Sequence, residues 1–120
     1  MKAFIIHSLD LTDAAIRFSE TIKHLFTEIY IPGRDLDQTQ PLAYKAQFNF
    51  NKLNEANAFY LLWDGKSYGV IADMAFALGR GKTINIIRVD FSESRWGKYL
   101  KVLEGGQLKW ENYSTKKIEE

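Results

Sequence analysis

The sequence predicts an α/β domain with a mostly parallel sheet of four or five strands and helices on both faces of that sheet. Short apolar runs alternate along the chain with segments of helical hydrophobic spacing, which is the pattern of such domains. The run AFYLLW at residues 58–63 is apolar throughout, as expected of a central parallel strand buried on both faces. With 120 residues, a single domain over 1–120 is expected.

The first part of the chain predicts a strand, a helix and a second strand. Residues 2–7 are a short β-rich run typical of a buried strand. Residues 27–31 predict the second strand, which ends at a Pro-Gly turn. Between them, residues 11–26 predict a helix that Thr12 or Asp13 can cap, because apolar residues recur at helical spacing: Ala15, Phe18, Ile22, Leu25 and Phe26.

The middle of the chain continues this alternation. Residues 32–41 are polar and carry turn residues at both ends, so they predict a loop. Residues 67–79 predict a helix that ends at Gly79, and residues 82–89 predict the next strand. Before the central strand, residues 42–57 predict a helix with an apolar side formed by Leu42, Ala46, Phe50 and Leu53.

Residues 92–113 are compatible with two arrangements. In the first, residues 92–106 form a helix that stops at Gly105, and residues 107–113 add a strand at the edge of the sheet. In the second, a hairpin turns around Gly105 and Gly106. The hydrophobic pattern is consistent with both.

The composition argues against several classes of site and partner. The chain has no Cys, and its two His residues, His7 and His24, form no metal motif, so neither a metal ion nor another cofactor is expected. Sixteen basic and fifteen acidic residues give a net charge of +1, which does not favour nucleic-acid binding. No apolar run reaches the roughly 18 residues of a membrane span, and the N-terminus lacks a signal-peptide pattern. A cytoplasmic protein without a membrane or nucleic-acid partner is expected.

Polar residues follow three of the predicted strands at their carboxyl ends, where open parallel sheets bind ligands. The charged residues after the second strand either cover a ligand or belong to a solvated loop, and both interpretations stay open. The candidate binding residues in these loops are Ser8 after the first strand, Arg34 and Asp37 after the second, and Asp64, Gly65 and Ser67 after the strand at 58–63.

Asp73 is the most unusual residue of the sequence, because it lies in a helix that is otherwise almost entirely apolar. Helical side chains lean toward the N-terminus, so its carboxylate is expected over Gly69, which has no side chain to fill the space. The start of the helix, from Ser67 to Gly69, favours an anion and is expected to help keep Asp73 ionised. An ionised, partly desolvated carboxylate can attack or stabilise a cationic sugar carbon.

Structural roles for both carboxylates are the competing interpretation. Asp73 can be a buried residue paired with Arg88, Lys82 or a backbone amide. Asp64 can be a turn residue that precedes Gly65.

The stretch NEANAFYLLWDGKSYGVIADMAFALGRGKTI, residues 54–84, resembles the nucleoside 2-deoxyribosyltransferase family and its nucleotide N-hydrolase relatives. Residues 1–31 fit the opening strand, helix and strand of that family only loosely. Asn57 stands where the family often has Asp, and Asp73 stands where the family has its nucleophilic Glu. The residues that fall on the family pattern are Asp64, Gly65, Ser67, Gly69, Ala75, Ala77, Leu78, Gly79 and Lys82.

The resemblance implies a flavodoxin-like fold and cleavage of the bond between a sugar and a nucleobase. It implies that Asp73 engages the sugar, that Asp64 contacts the sugar or the base, and that Ser67 and Gly69 hold the 5′ hydroxyl or phosphate. It also implies a homo-oligomer, most simply a dimer. The Asp73 side chain is one methylene shorter than Glu, which removes roughly 1.5 Å of reach, and positioning errors of that size reduce reaction rates strongly.

Two functions follow for the same pocket. The first is an enzyme that cleaves nucleosides or nucleotides at the N-glycosidic bond, or transfers their deoxyribosyl group, with Asp73 and Asp64 as catalytic residues. The second is a non-catalytic module that binds a nucleotide or a nucleotide-sugar for sensing or sequestration. Asp in place of Glu at position 73 favours the second.

Overall fold

A computed structural model describes residues 1–90 and the backbone of 108–110. Its sheet has five strands in the order β2-β1-β3-β4-β5, and every neighbouring pair is parallel. This order is that of flavodoxin-like doubly wound sheets, so the predicted α/β class is confirmed. The strands are β1 (Lys2–His7), β2 (Glu28–Tyr30), β3 (Ala58–Trp63), β4 (Ile84–Val89) and β5 (Leu108–Trp110).

Helices cover both faces of the sheet. One face packs against α1, and the other packs against α3 and α4. Two short 3-10 turns flank α1, which therefore ends earlier than the sequence predicts. The helices are α1 (Thr12–Ile22), α2 (Pro32–Asp35), α3 (Leu42–Glu55) and α4 (Tyr68–Gly79).

The strand β3 is central, as its apolar sequence predicts. It pairs with β1 on one side and with β4 on the other. Its residues alternate between the two faces, so Phe59, Leu61 and Trp63 join the core under α3 and α4, and Tyr60 and Leu62 join the core under α1. Burial on both sides explains why a continuous apolar run was needed here.

Two predictions for the segment between β2 and β3 are confirmed only in part. Residues 32–35 form the helical turn α2, with Pro32 in its first turn, where the missing amide hydrogen costs nothing. The predicted apolar side of α3 is only partly inward: Leu53 is buried, but Leu42 is 79% exposed and Phe50 is 46% exposed. The inward side consists of Lys45, Phe48, Asn49, Lys52 and Leu53, in which long polar side chains bury their aliphatic parts.

The C-terminal segment is only partly described. The strand β5 pairs with β4 in register from Ile84 opposite Leu108 to Ile86 opposite Trp110. The predicted edge strand at 107–113 is therefore confirmed over these three residues. The choice between a helix and a hairpin for residues 92–106 lies outside the described residues.

Gly33 brings α2 against the end of β1. Its backbone N–H donates to Nε2 of His7 over 3.0 Å. A Cβ at this position would lie 2.8 Å from Cε1 of His7 and would also overlap the hydroxyl of Thr12. Only glycine therefore allows this approach of the two segments.

The strand β2 lies at one edge of the sheet and has only three residues. Nη2 of Arg34 donates to the carbonyl of Ile29 in this strand over 2.8 Å. Lys52 forms an ion pair of 2.7 Å with Glu28 of the same strand. The exposed edge thus carries side chains that occupy or screen its backbone.

In the described part of the chain, none of the helices has the length and apolar character needed to cross a membrane.

We expect Gly33→Ala to lower the free energy of unfolding by about 1–3 kcal/mol, because the added methyl must displace Thr12 and His7. Gly79→Ala is the matched control, since a Cβ there meets nothing within 4 Å and the residue is helical. Chemical denaturation measures both variants. Equal stability of the two variants would contradict the close approach described for Gly33.

Candidate functional site

A cleft of about 520 Å³ lies at the carboxyl ends of β1 and β3. The chain leaves β1 toward β2 on one side and later returns to β3 on the other, so this is the point where the strand order reverses. Ligands of doubly wound sheets bind at such a point. The walls come from the end of β1, from α2 and the loop after it, from α3 and from the start of α4.

Ser8 joins the two strand ends beneath the cleft and is almost completely buried. Its backbone N–H donates to the carbonyl of Leu62 over 3.0 Å. Its hydroxyl oxygen accepts a hydrogen bond of 2.9 Å from the backbone N–H of Asp64. The carboxyl ends of β1 and β3 are thereby held together.

Asp64 shapes the loop between β3 and α4. Its Oδ1 accepts hydrogen bonds of 2.8 Å from the backbone N–H groups of Lys66 and Ser67, and its Oδ2 accepts one of 2.9 Å from the Ser67 hydroxyl. Burial raises the pKa of the Asp64 carboxyl, but these hydrogen bonds together outweigh burial and hold the pKa below its usual value. Gly65 follows with φ of 79°, a left-handed conformation that favours glycine.

This arrangement changes the expected role of Ser67. Ser67 occupies the residue position before α4, as predicted, but its side chain makes no capping hydrogen bond to the helix. Its hydroxyl donates to Asp64 instead, because the carboxylate is the stronger acceptor nearby.

Asp73 faces the cleft from α4, and Asn49 of α3 is its hydrogen-bond partner. Nδ2 of Asn49 donates to Oδ1 of Asp73 over 3.0 Å. Gly69, one turn earlier on the same helix, also lines the cleft, and a Cβ there would meet nothing within 4 Å. The carboxylate therefore lies beside open space, as its position relative to Gly69 predicts.

Burial raises the pKa of Asp73 to about 6, and the hydrogen bond from Asn49 opposes this only in part. The prediction that the helix dipole helps to keep Asp73 ionised is therefore wrong, because burial has the larger effect on its pKa. Asp73 is the sixth residue of α4, and the dipole acts mainly within the first turn. The carboxylate titrates close to neutral pH because it is desolvated.

His7 lies at the base of the cleft as a neutral imidazole. Its Nε2 accepts the hydrogen bond from the backbone of Gly33, so the ring hydrogen is on Nδ1, which donates to the carbonyl of Ser8 over 2.8 Å. Burial lowers the pKa of His7, and the bond to Ser8 opposes that shift. Both ring nitrogens are occupied, which leaves the imidazole a structural role.

The structure brings together four of the residues predicted from sequence: Ser8, Ser67, Gly69 and Asp73 all line the cleft. The other four, Asp64, Gly65, Arg34 and Asp37, are not among the described residues that line it. Asp64 and Gly65 form the loop behind Ser67, and Arg34 pairs with Asp35.

Asp37 accepts hydrogen bonds from the backbone and hydroxyl of Thr39, and also from Gln40, so it stabilises its own loop. These contacts lower the pKa of the Asp37 carboxyl. The structural pairing of Asp73 with Arg88 is not observed, since Arg88 pairs with Asp90.

Sequence reasoning missed Lys45 and Asn49, which face the cleft from α3. The available signal was their spacing of four residues in line with the buried Leu53. That signal was obscured because α3 also carries exposed apolar residues, Leu42 and Phe50.

None of the protein-family models, curated proteins or solved structures compared with this chain matches it. Function is therefore inferred from the cleft and from the sequence resemblance of residues 54–84.

We expect Asp73→Asn to increase stability at neutral pH. The pKa of Asp73 is about 6 in the folded state, against about 3.9 for an unfolded Asp. A raised pKa contributes stability that is present below pH 4 and lost as the pH rises through 6. The substitution removes that loss, so unfolding at pH 7 should require about 1–3 kcal/mol more, after allowance for solvent at its open side.

Asp64→Asn is the matched comparison and should have the opposite sign. Its carboxylate has a lowered pKa, so it contributes stability above the unfolded pKa that is lost as the pH falls. Loss of the acceptor for Ser67 should cost about 1–2 kcal/mol at pH 7. Melting curves between pH 4 and 8 measure both variants, and a lower melting temperature for Asp73→Asn at pH 7 would show a structural role for Asp73.

Proposed function

We propose that the cleft binds a nucleoside or nucleotide and that Asp73 acts at the anomeric carbon of its sugar. The observation that carries this proposal is the carboxylate of Asp73, desolvated, bound by a neutral amide and open to a cleft at the switch point of the sheet. Structural carboxylates are usually matched by a cation or by several donors, as Asp64 is here.

The cleft has the size and mixed character of a small-molecule site. Its volume of about 520 Å³ falls within the range of roughly 300–1,000 Å³ that such sites occupy. Leu36, Leu42 and Val70 supply apolar surface for a base or a sugar ring, and Ser67 and Lys45 supply polar groups. The sequence resemblance supports a nucleoside-type ligand among molecules of this size.

The reaction uses Asp73 in its ionised form. As the bond between the sugar and the base breaks, the base leaves with the bonding electrons and takes a proton from water, and positive charge develops at the anomeric carbon. Asp73 stabilises that charge or bonds to the carbon. Water or a second base then takes the sugar, which gives hydrolysis or transfer.

The geometry supports a different part for Asp64 than the sequence resemblance implies. Its two oxygens already accept three hydrogen bonds, and its pKa is low, so protonation of a leaving base is unfavourable for it. Within this proposal, Asp64 positions Ser67 and the start of α4 against the ligand.

A specific observation also supports the second function. Asp73 has one methylene fewer than the Glu of the similar family, so its carboxylate reaches less far into the cleft. A pocket of this kind can bind a nucleotide without cleaving it.

We expect the protein to release free base from members of a nucleoside and nucleotide panel, and Asp73→Asn to lower that release by several orders of magnitude. Charge at the sugar develops only in the transition state, so ligand affinity should change little. Release should also fall as the pH drops below about 6, because Asp73 becomes protonated.

Asp13→Asn is the control, since Asp13 is exposed on α1 at the opposite face of the sheet. Chromatographic detection of free base, together with calorimetric affinity, separates the functions. Binding without base release by the wild-type protein would establish the binding module. Neither binding nor release across the panel would exclude the nucleoside proposal.

The homo-oligomer expected from sequence stays a proposal, and the exposed side of α4 supports it. Tyr68 is 76% exposed at the start of this helix. The outward residues of α4 that do not line the cleft, Ala75 and Gly79, have no side chain beyond Cβ, which allows close helix approach. A second copy of the chain packed there would cover this apolar surface.

We expect Ala75→Glu to convert a dimer to a monomer, because a charge would be buried between the two helices. Ala75 is exposed in the single chain, so the added charge should not disturb the fold of the monomer itself. Thr21→Glu on the exposed side of α1 adds the same charge elsewhere. Sedimentation velocity measures all three proteins, and a wild-type monomer at micromolar concentration would contradict the proposal.

A further inference from the structure

Asn49 fixes one of the two carboxylate oxygens of Asp73. Nδ2 of Asn49 donates to Oδ1 of Asp73 over 3.0 Å, and the two residues are 24 positions apart in the chain. The other oxygen, Oδ2, makes no hydrogen bond to any residue in the described part of the chain. Asp73 therefore has one oxygen held by the protein and one available to the cleft.

We infer that Asn49 is a positioning residue for Asp73, whose amide holds Oδ1 in place and leaves Oδ2 directed at the ligand. The role of Oδ2 rests on the proposed function. The hydrogen bond from Asn49 to Asp73 does not depend on the proposed function, since it is a property of the folded chain. This pairing also gives a reason for the shorter acid at position 73, which has fewer rotatable bonds than Glu and is fixed by a single donor.

The orientation of the amide follows from charge. If the amide were reversed, its oxygen would face an ionised carboxylate and repel it. In the observed orientation, Oδ1 of Asn49 is buried without a hydrogen-bond partner among the described residues. A buried acceptor of this kind is unfavourable, so the bond to Asp73 must compensate for it. The amide is thus satisfied through its Nδ2 by the carboxylate of Asp73.

Other ionisable groups near Asp73 come from three directions, and none of them makes the same contact. Lys45 faces the cleft from α3, and Asp10 faces it from the end of β1. His7 is neutral, with both ring nitrogens occupied. Tyr30 is buried in the core. Burial first, and then the charges of acidic groups that include Asp73, raise its pKa, so it stays neutral. The direct hydrogen bond distinguishes Asn49 from all of these.

The test measures the ionisation of Asp73 directly, by carbon-13 NMR titration of its carboxyl group in the full-length protein. Asn49→Leu removes the donor at similar size and should move the titration upward by about one pH unit, because the charged form loses its partner. Asn49→Ser removes the amide without adding an apolar branch and should do the same. Asn51→Leu is the control, since Asn51 is exposed on the same helix and bonds Gln47.

Base release then tests positioning separately from ionisation. At pH 8, where Asp73 stays ionised in every variant, Asn49→Leu should lower kcat by tenfold or more with little change in KM, and Asn51→Leu should change neither. An unchanged titration of Asp73 in both Asn49 variants would overturn the inference. A moved titration with an unchanged kcat at pH 8 would overturn the positioning role. If the wild-type protein releases no base, the proposed function fails while the titration still decides whether Asn49 holds Asp73.

Discussion

The hydrogen bonds of Ser8 are the contacts on which the rest of the site depends. Parallel strands end with backbone groups that no longer pair within the sheet, and these groups must find partners when buried. Ser8 supplies a donor to β3 and an acceptor to the loop after it, so the ends of β1 and β3 meet without unpaired backbone between them. The loop can then pass directly into α4, which carries Asp73.

The two carboxylates of this region are chemically alike, yet their surroundings give them opposite properties. Asp64 receives donors from its own loop and stays charged at little cost. Asp73 receives one amide hydrogen in a desolvated position, so its charge is unfavourable at neutral pH. Proteins commonly accept such a loss of stability where a reactive or ligand-binding group is needed. Within ten residues of sequence, one carboxylate stabilises its own loop and the other is held in a position that disfavours its charge.

The strands of the sheet could be predicted from the sequence, because the patterns that indicate them are local and strong. The apolar run of β3 and the turns around it fixed the strand at 58–63, and the alternation of elements fixed the parallel class. The turn α2 was missed because a single helical turn leaves no periodic pattern, and Pro32 is equally common in loops.

The same reasoning predicted only some of the residues that form the site. Ser8, Ser67 and Gly69 follow from strand-end geometry, and Asp73 follows from its contrast with an apolar helix. The spacing of Asn49 with Leu53 could place it on the inward side of α3, but its contact with Asp73 on α4 is tertiary, and no local pattern encodes that contact. The inward side of α3 was also hidden, since it mixes lysines with apolar residues and so has little hydrophobic contrast with its outward side.

The short edge strand β2 has a consequence for how copies of this chain can associate. An open strand edge is a template for sheet extension between molecules, which leads to aggregates with no fixed size. Here Arg34 already donates a hydrogen bond to the carbonyl of Ile29. The ion pair between Lys52 and Glu28 also places charges on this strand. Extension through β2 would have to break these contacts and desolvate the charges. Growth into open-ended assemblies is therefore disfavoured at that edge.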